Sequence, residues 1–237
     1  MVIITGATGG IGKFLVQKVV SSGMLCCAII RDINKTNEFI LDTNISNLYF
    51  ANYQYNSFIE LLADDDKSKI NYVSLVLNAF DISPIKMSAE LTKDDITRNI
   101  EFNIVRQIET IIKAFNLSQH LGVSLRIVYL DSGAAYSPIS GWGLYCAGKA
   151  YAGMFLKVFS QENEVPLVLY DPGVVDTKMQ ETIRNATSHE FPLVDTFRNY
   201  QSSSQLNSPK KIAEDIYKRY LINWTAVELC EHFAKIT

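Results

Sequence analysis

The chain has 237 residues, of which 48% are hydrophobic and 20% are charged. This length and composition are typical of one globular domain whose core needs neither disulfides nor a structural metal for stability. The net charge of −3 provides no basic surface for nucleic acid or for an anionic membrane, so a small-molecule partner is expected.

Cysteine and histidine positions show neither a disulfide framework nor metal-ligand spacing. The four cysteines, Cys26, Cys27, Cys146 and Cys230, contain no CxxC pair and are expected to be reduced thiols. No signal-peptide pattern and no uninterrupted apolar run of about 18 residues is present. We therefore expect a cytoplasmic protein with no bound metal and no membrane partner.

The first predicted elements are a buried strand over Val2–Thr5, a glycine turn, and a helix over residues 11–21. Gly6, Gly10 and Gly12 would allow a tight turn, close approach of the backbone to a pyrophosphate, and close packing of helix on strand. A lone glycine-rich turn is a structural turn about as often as a nucleotide site. Its position between the first strand and the first helix favours the nucleotide site.

The second predicted strand covers residues 25–30 and is followed by Arg31 and Asp32. In dinucleotide-binding folds this strand tip contacts the ribose next to the adenine. Arg31 favours the 2′-phosphate of NADP, because a guanidinium binds phosphate in a bidentate manner. Asp32 is the competing signal for NAD, and its other interpretation is a turn or helix cap.

Strands alternate with helical segments through the rest of the chain. This alternation predicts parallel crossovers and a single-domain, doubly wound α/β sheet with helices on both faces, over residues 1–237. Further strands are predicted over residues 48–51, 72–79, 125–130, 167–170 and 226–229, and helices over 58–62, 93–115, around 145–154, and over 209–220. Asn78 would lie near a strand end, where it either contacts a ligand or caps a turn.

The long helix beginning near residue 93 carries isoleucines on one side, at positions 96, 100, 104, 108 and 111. Asn103 lies inside this helix although asparagine is a poor helix former. A buried asparagine within a helix often holds water or bonds a carbonyl group.

The stretch DSGAAYSPISGWGLYCAGK, residues 131–149, contains the residues best suited to catalysis. Ser132 follows a predicted strand, and Tyr145 and Lys149 are four residues apart, so they share one face of a helix. A neighbouring ammonium stabilises phenolate and would lower the pKa of Tyr145, which suits a general acid. One YxxxK alone is weak evidence, because tyrosine and lysine are common.

Two later segments are expected to lie near a ligand. Pro172–Gly173 predicts a sharp turn after a strand. Residues 174–177 could then place main-chain groups and the Thr177 hydroxyl against a ligand. Residues 180–205 are polar and poorly periodic, and a long loop of this kind is either a lid over a site or a disordered excursion.

Together these residues resemble the short-chain dehydrogenase/reductase family over nearly the whole chain. TGATGGIG is similar to the family's TGxxxGxG loop, LNAF to its NNAG strand end, and PGVVDT to the segment that binds the nicotinamide carboxamide. Asn103, Ser132, Tyr145 and Lys149 fall on its catalytic tetrad. Within the family, residues 132–150 followed by PGVVDTKMQ most resemble the benzil and sepiapterin reductases.

The resemblance implies an NADPH-dependent reductase of a small dicarbonyl or activated ketone, benzil-type or sepiapterin-like. Tyr145 would protonate the carbonyl oxygen, Ser132 would hydrogen-bond it, Lys149 would bind the nicotinamide ribose, and Asn103 would hold a water molecule that relays protons. The implied cofactor contacts are Gly6, Thr8, Gly10, Ile11, Gly12, Arg31, Asn78, Tyr145, Lys149, Pro172, Gly173, Val175 and Thr177. The implied substrate contacts are Ser132, Trp142, Tyr145, Met179 and Glu231, with a substrate loop over about 177–206.

The resemblance also implies a homodimer formed through the two long helices that carry Asn103 and Tyr145. A second hypothesis remains open, because Phe80 stands where the family has glycine and Asn52 where it usually has aspartate. In that case the chain would be a cofactor-binding or redox-sensing module without physiological turnover.

Overall fold

The computed structural model describes residues 1–31 and 46–224, and the backbone of residues 229–233. Within these residues the strands are β1 (Val2–Thr5), β2 (Cys26–Ile29), β3 (Leu48–Ala51), β4 (Tyr72–Leu77), β5 (Ser124–Leu130), β6 (Leu167–Asp171) and β7 (Leu229–Phe233). The helices are α1 (Gly10–Ser21), α2 (Asp64–Lys67), α3 (Lys93–Ile100), α4 (Arg106–Leu121), α5 (Gly143–Asn163), α6 (Lys178–Arg184), α7 (Val194–Ser202) and α8 (Pro209–Ile216).

The strands form one parallel sheet in the order β3-β2-β1-β4-β5-β6-β7. This order confirms the predicted doubly wound sheet. The order in which strands are added to the sheet reverses between β1 and β4, and ligands in such sheets bind in the crevice at that point, beyond the carboxyl ends of the strands. The glycine loop after β1, Asn78 after β4, and Ser132 after β5 all lie at this edge.

The sheet is buried on both faces, as expected for parallel strands. Every residue of β1 and β2 is buried, and so are five of the six residues of β4. One face packs against α4 and α5 and the other against α1 and α8. Two helical layers therefore hold the strand ends in fixed relation to one another.

Most predicted elements are present, with shifted ends. The predicted helix at 58–62 is a 3₁₀ turn, Phe58–Leu61, and the acidic residues after it form the short helix α2. The described part of the last strand is Leu229–Phe233; its predicted start at residue 226 lies outside the described part of the chain.

The prediction of a long loop or disordered excursion over residues 180–205 is wrong. This segment forms most of α6 and all of α7, which pack on the rest of the protein through an apolar cluster that includes Ile183, Phe191 and Phe197. Its sequence appeared aperiodic because each helix is short, at seven and nine residues, and therefore shows few repeats of the helical pattern.

The predicted isoleucine stripe on the long helix is only partly buried. Ile111 is 2% exposed, whereas Ile96 and Ile100 are 38% and 45% exposed. In the described part of the chain, no helix is long and apolar enough to cross a membrane.

Candidate active site

The glycine loop has a backbone path that side chains would obstruct. Gly6 has a φ of +62°, and a Cβ there would lie 2.8 Å from the Asn78 side chain. A Cβ at Gly12 would overlap the carbonyl oxygen of Gly6, and one at Gly10, whose φ is +51°, would lie 3.0 Å from Thr177. The loop therefore presents bare backbone beside Thr177, as the sequence predicts.

The N-terminus of α1 fits an anionic group. Its cap residue, Gly9, has an extended backbone and makes no side-chain cap, and the first turn carries no acidic residue. Thr8 and Gly9 are exposed. Free N–H groups at the positive end of a helix bind phosphate, so these residues fit the pyrophosphate of a dinucleotide. Ile11 is buried in the core, which leaves its backbone N–H as its possible contact.

Asn78 braces the glycine loop. Its amide nitrogen donates to the carbonyl oxygens of Thr5 and Gly6, both at 3.1 Å. The Thr5 hydroxyl accepts in return from the backbone N–H groups of Asn78 and Ala79, at 2.9 Å each. Of the two interpretations offered by the sequence, the structure favours the local structural one.

Arg31 is exposed just beyond β2, where the sequence predicts contact with the adenine-side ribose. Its guanidinium lies 5.8 Å from the ring centre of Phe102, and that of Arg106 lies 5.6 Å from the same ring. Sequence reasoning missed Phe102 and Arg106, since they come from α4 and the turn before it, far along the chain. The competing residue Asp32 lies outside the described residues.

Ser132, Tyr145 and Lys149 meet at the carboxyl end of β5. Ser132 caps the turn Gly133–Ala135, with its hydroxyl accepting from the Ala134 N–H at 3.2 Å, and it lies close enough to the Tyr145 side chain to affect its pKa. Tyr145 lies in the first turn of α5, one helical turn before Lys149. The Lys149 ammonium donates to the Leu130 carbonyl oxygen at the end of the strand.

Burial is the main cause of the pKa shifts of Tyr145 and Lys149. Tyr145 is 7% exposed and Lys149 is 3% exposed. Burial raises the pKa of Tyr145 well above its usual value, and it lowers the pKa of Lys149 from 10.5 to about 8. Burial therefore outweighs the lowering of the Tyr145 pKa that the Lys149 ammonium is expected to cause. The phenol is held protonated, which is the form a proton donor needs.

Asn103 lies in a π-helical turn, Glu101–Val105, that joins α3 to α4. Turns of this kind often occur at functional sites. The side chain is fully buried and clamps the backbone of Asp81: Oδ1 accepts from its N–H and Nδ2 donates to its carbonyl, both at 2.8 Å. The predicted water relay through Asn103 stays a prediction.

Comparison with known proteins agrees with this geometry. A family model described as short chain dehydrogenase matches residues 1–188. The chain belongs to the short-chain dehydrogenase family. It is 30% identical to the benzil reductase ((S)-benzoin forming) of Bacillus subtilis over 222 residues, or 89% of each chain.

Two further comparisons cover different amounts of the chain. Sepiapterin reductase of Bos taurus is 40% identical over 79 residues, which is 33% of this chain and 29% of that protein. The crystal structure of the KRED1-Pglu enzyme superposes with a TM-score of 0.80 at 20% identity, over 96% of this chain and 99% of that one. As a short-chain dehydrogenase, the chain is an oxidoreductase acting on the CH–OH/C=O couple with a nicotinamide cofactor.

In the short-chain dehydrogenase site, a wall of aromatic rings lies beside Tyr145. Trp142 stacks on Phe191 with ring centres 4.8 Å apart and 8° between planes. It also makes an edge-to-face contact with Tyr145, with ring centres 5.4 Å apart. Phe197 contacts both Trp142 and Phe191 at 5.3 Å. Sequence reasoning named Trp142 as a substrate contact and expected Phe191 and Phe197 to be buried, but it did not predict that these two rings contact Trp142.

The other two predicted substrate residues are Met179 in α6 and Glu231 in β7. Met179 is half-buried against the apolar cluster that contains Trp142 and Tyr145. The backbone of Glu231 pairs with Leu169 of β6, two residues before that strand ends. The side chain of Glu231 lies outside the part of the chain that the structure describes.

The segment Pro172–Thr177 is held by Asn207, which sequence reasoning missed. Asn207 Nδ2 donates to the Pro172 carbonyl at 2.8 Å, and its backbone bridges Val175. Gly173 has a φ of +64°, and Val175 is buried in the core. These contacts leave Thr177 beside the glycine loop, where it can meet a ligand bound there.

Two carboxylates also approach the catalytic groups. Asp131 is 5% exposed, accepts from the Tyr136 hydroxyl at 2.7 Å, and has a second oxygen without a protein partner. Burial raises its pKa. Asp171 accepts from the Gly173 N–H at 2.8 Å. The place of each residue at a strand end could have indicated this from the sequence. Among the described residues, no group of three potential metal-binding side chains is found.

Proposed function

We propose that this protein is an NADPH-dependent carbonyl reductase that reduces a benzil-type aromatic diketone. The observation that carries the proposal is the buried phenol of Tyr145, next to Ser132 at the carboxyl end of β5, whose ring is contacted by the aromatic wall of Trp142 and Phe191. Aromatic rings bind one another edge-on or offset-stacked, so this wall suits an aryl group beside the reacting carbonyl.

The residues present suit the reductive direction. The cofactor, when bound, supplies a hydride to the carbonyl carbon. Tyr145 donates its phenolic proton to the carbonyl oxygen, and Ser132 stabilises the charge that develops on that oxygen. The positive charge of Lys149 stabilises the phenolate that remains on Tyr145.

The extent of the similarities favours the diketone over a pterin. The similarity to the benzil reductase of Bacillus subtilis covers 89% of the chain, whereas the match to sepiapterin reductase covers 33%. The longer match includes α6, α7 and the connection between them, which together supply Phe191 and Phe197.

The direct test is NADPH oxidation by the purified protein with benzil and with sepiapterin. The variant Tyr145→Phe keeps the ring contacts and loses the proton, so turnover should fall by about 100-fold or more. NADPH binding, followed by fluorescence, should be retained and serves as the control. Unchanged turnover in the variant would refute the role of Tyr145. Tight NADPH binding without oxidation of any diketone would instead support the cofactor-binding or redox-sensing module.

The choice of NADPH rests on Arg31. An exposed guanidinium beyond β2 can pair with the 2′-phosphate, so Arg31→Ala should weaken NADPH binding by roughly 1.5 to 3 kcal/mol and hardly change NADH binding. Titration calorimetry with both cofactors measures this difference. Arg106→Ala is the matched control, because Arg106 lies near the same ring and is 3.4 Å from Glu101. Equal losses for both cofactors in Arg31→Ala would remove its role.

We also propose a homodimer formed through α4 and α5. The surface groove between these helices is lined by Ile104, Ile108, Tyr151 and Phe155. Beside it on α5, Met154 is 63% exposed. Apolar side chains of this size cluster on surfaces that other proteins cover.

A further inference from the structure

Phe80 lies between the two catalytic groups, at a position where the family's loop has glycine. Its ring centre is 4.1 Å from the Lys149 ammonium nitrogen. The Phe80 and Tyr145 rings make an edge-to-face contact, with ring centres 5.4 Å apart and 90° between planes. The tip of the Phe80 ring fills the space beside Gly148, where a Cβ would lie only 3.1 Å away. One side chain thus contacts Lys149 and Tyr145 and the helix turn between them.

Few groups surround the buried Lys149 ammonium in place of the water that would hydrate it at the surface. It donates to the Leu130 carbonyl, and the rings of Phe80 and Tyr129 lie 4.1 Å and 4.7 Å away. The ionisable groups that face it are Tyr129 and Asp131 from β5 and its end, Tyr145 from α5, and Asp171 from the end of β6. Phe80 is therefore the nearest ring to the buried charge.

We propose that Phe80 is a positioning residue that keeps Lys149 charged by a cation–π contact while it shields Lys149 and Tyr145 from water. The negative face of an aromatic ring stabilises a nearby cation, and the effect is largest where water is excluded. The proposal deepens the proposed function, because it explains how the charge beside Tyr145 persists in an apolar site. It requires no cofactor and no substrate to be bound.

Loss of the shield and loss of the cation–π contact shift the pKa of Lys149 in opposite directions. Phe80→Leu keeps an apolar side chain of similar reach and loses the aromatic face, so the ammonium is stabilised less and the pKa of Lys149 falls. Phe80→Gly removes the shield and admits water, so the pKa of Lys149 rises towards its ordinary value. A residue that only fills space would leave the pKa of Lys149 unchanged in Phe80→Leu.

The experiment is an NMR pH titration of the protein with ¹³C-labelled lysine side chains, without cofactor or substrate, with the Lys149 signal assigned by Lys149→Arg. Lys149 should titrate near pH 8 in the unmodified protein. The midpoint should fall by about one pH unit in Phe80→Leu. In Phe80→Gly it should rise. Phe115→Leu, which changes another ring of the core, should leave the midpoint unchanged.

An unchanged midpoint in Phe80→Leu, or shifts of the same sign in both Phe80 variants, would overturn the proposal. The Phe80→Leu result decides alone if the glycine variant does not fold. Since the titration uses neither substrate nor NADPH, its outcome is separate from the benzil assay. In an active enzyme, the basic limb of the pH profile of kcat/KM should move in the same direction as the NMR midpoint.

Discussion

Lys149 shows how a single residue can be placed for function at a cost in stability. Its ammonium is almost completely buried, and burial holds its pKa near 8 rather than 10.5. The unfolded chain therefore binds more protons than the folded protein between these values, so the free energy of unfolding rises with pH in that interval. Below about pH 8 the folded protein carries the full cost of the buried charge.

Replacing Lys149 by methionine should therefore stabilise the protein while removing activity. At pH 7 the gain in free energy of unfolding should be roughly 1 to 3 kcal/mol, because the variant buries a side chain of similar shape without the charge. Urea denaturation at pH 7 and near pH 10.5 measures it, and the gain should shrink at the higher pH.

The matched control for this prediction is Lys211→Met. Lys211 is an exposed lysine on α8, and its replacement should change stability by less than about 0.5 kcal/mol at either pH. A loss of stability in Lys149→Met at pH 7 would show that the contacts of Lys149 with Leu130 and Phe80 outweigh the cost of its burial.

The elements around the site differ in how well they could be predicted from the sequence. The strands β1 and β3 have the predicted limits, because each is a short run bounded by turn residues. Ser132, Tyr145 and Lys149 could also be predicted, since local spacing along one strand end and one helix fixes their placement. Asn103 was identifiable as an anomaly, yet its hydrogen bonds to the distant backbone of Asp81 could not be predicted from local sequence.

What could not be predicted arises from contacts between residues far apart in the chain. Phe191 stacks on Trp142, and Phe80 contacts Lys149, across separations that no local pattern records. The pKa of Tyr145 also depends on them, because these rings bury the phenol more effectively than Lys149 stabilises its ionised form.

The stack of Phe191 on Trp142 connects the α6–α7 segment to the aromatic wall that is proposed to bind the substrate. Phe191→Leu keeps most of the volume, so stability should fall by only about 1 kcal/mol. The KM for benzil should rise several-fold, because the aromatic wall loses one of its rings. Steady-state kinetics and thermal unfolding measure the two effects.

Phe115→Leu controls for the loss of a ring elsewhere in the molecule. Phe115 contacts Phe159 edge-on at 5.5 Å, on the face of the sheet covered by α4 and α5. This variant should lose similar stability and leave the KM for benzil unchanged. A matching rise of KM in both variants would show that Phe191 acts through general stability and not through the wall.

At the scale of the whole molecule, the helices that carry Asn103, Tyr145 and Lys149 also carry exposed apolar side chains. Ile112 on α4 is 45% exposed, and Met154 and Val158 on α5 are 63% and 44% exposed. A dimer through this surface would cover them and fix α5, on whose inner side Tyr145 and Lys149 lie. Assembly and catalysis would then depend on the same helix.

Met154→Glu tests this arrangement, because it would bury an unpaired carboxylate in the proposed dimer. The cost of such a charge should weaken association by more than about 100-fold, so a dimer at micromolar concentration should become a monomer in analytical ultracentrifugation. Leu193→Glu, at a residue 44% exposed just before α7, should leave the dimer intact. A monomeric unmodified protein, or a Met154→Glu dimer, would exclude this surface as the interface. If the monomer also loses turnover while keeping NADPH binding, the dimer is what holds α5 in its catalytic position.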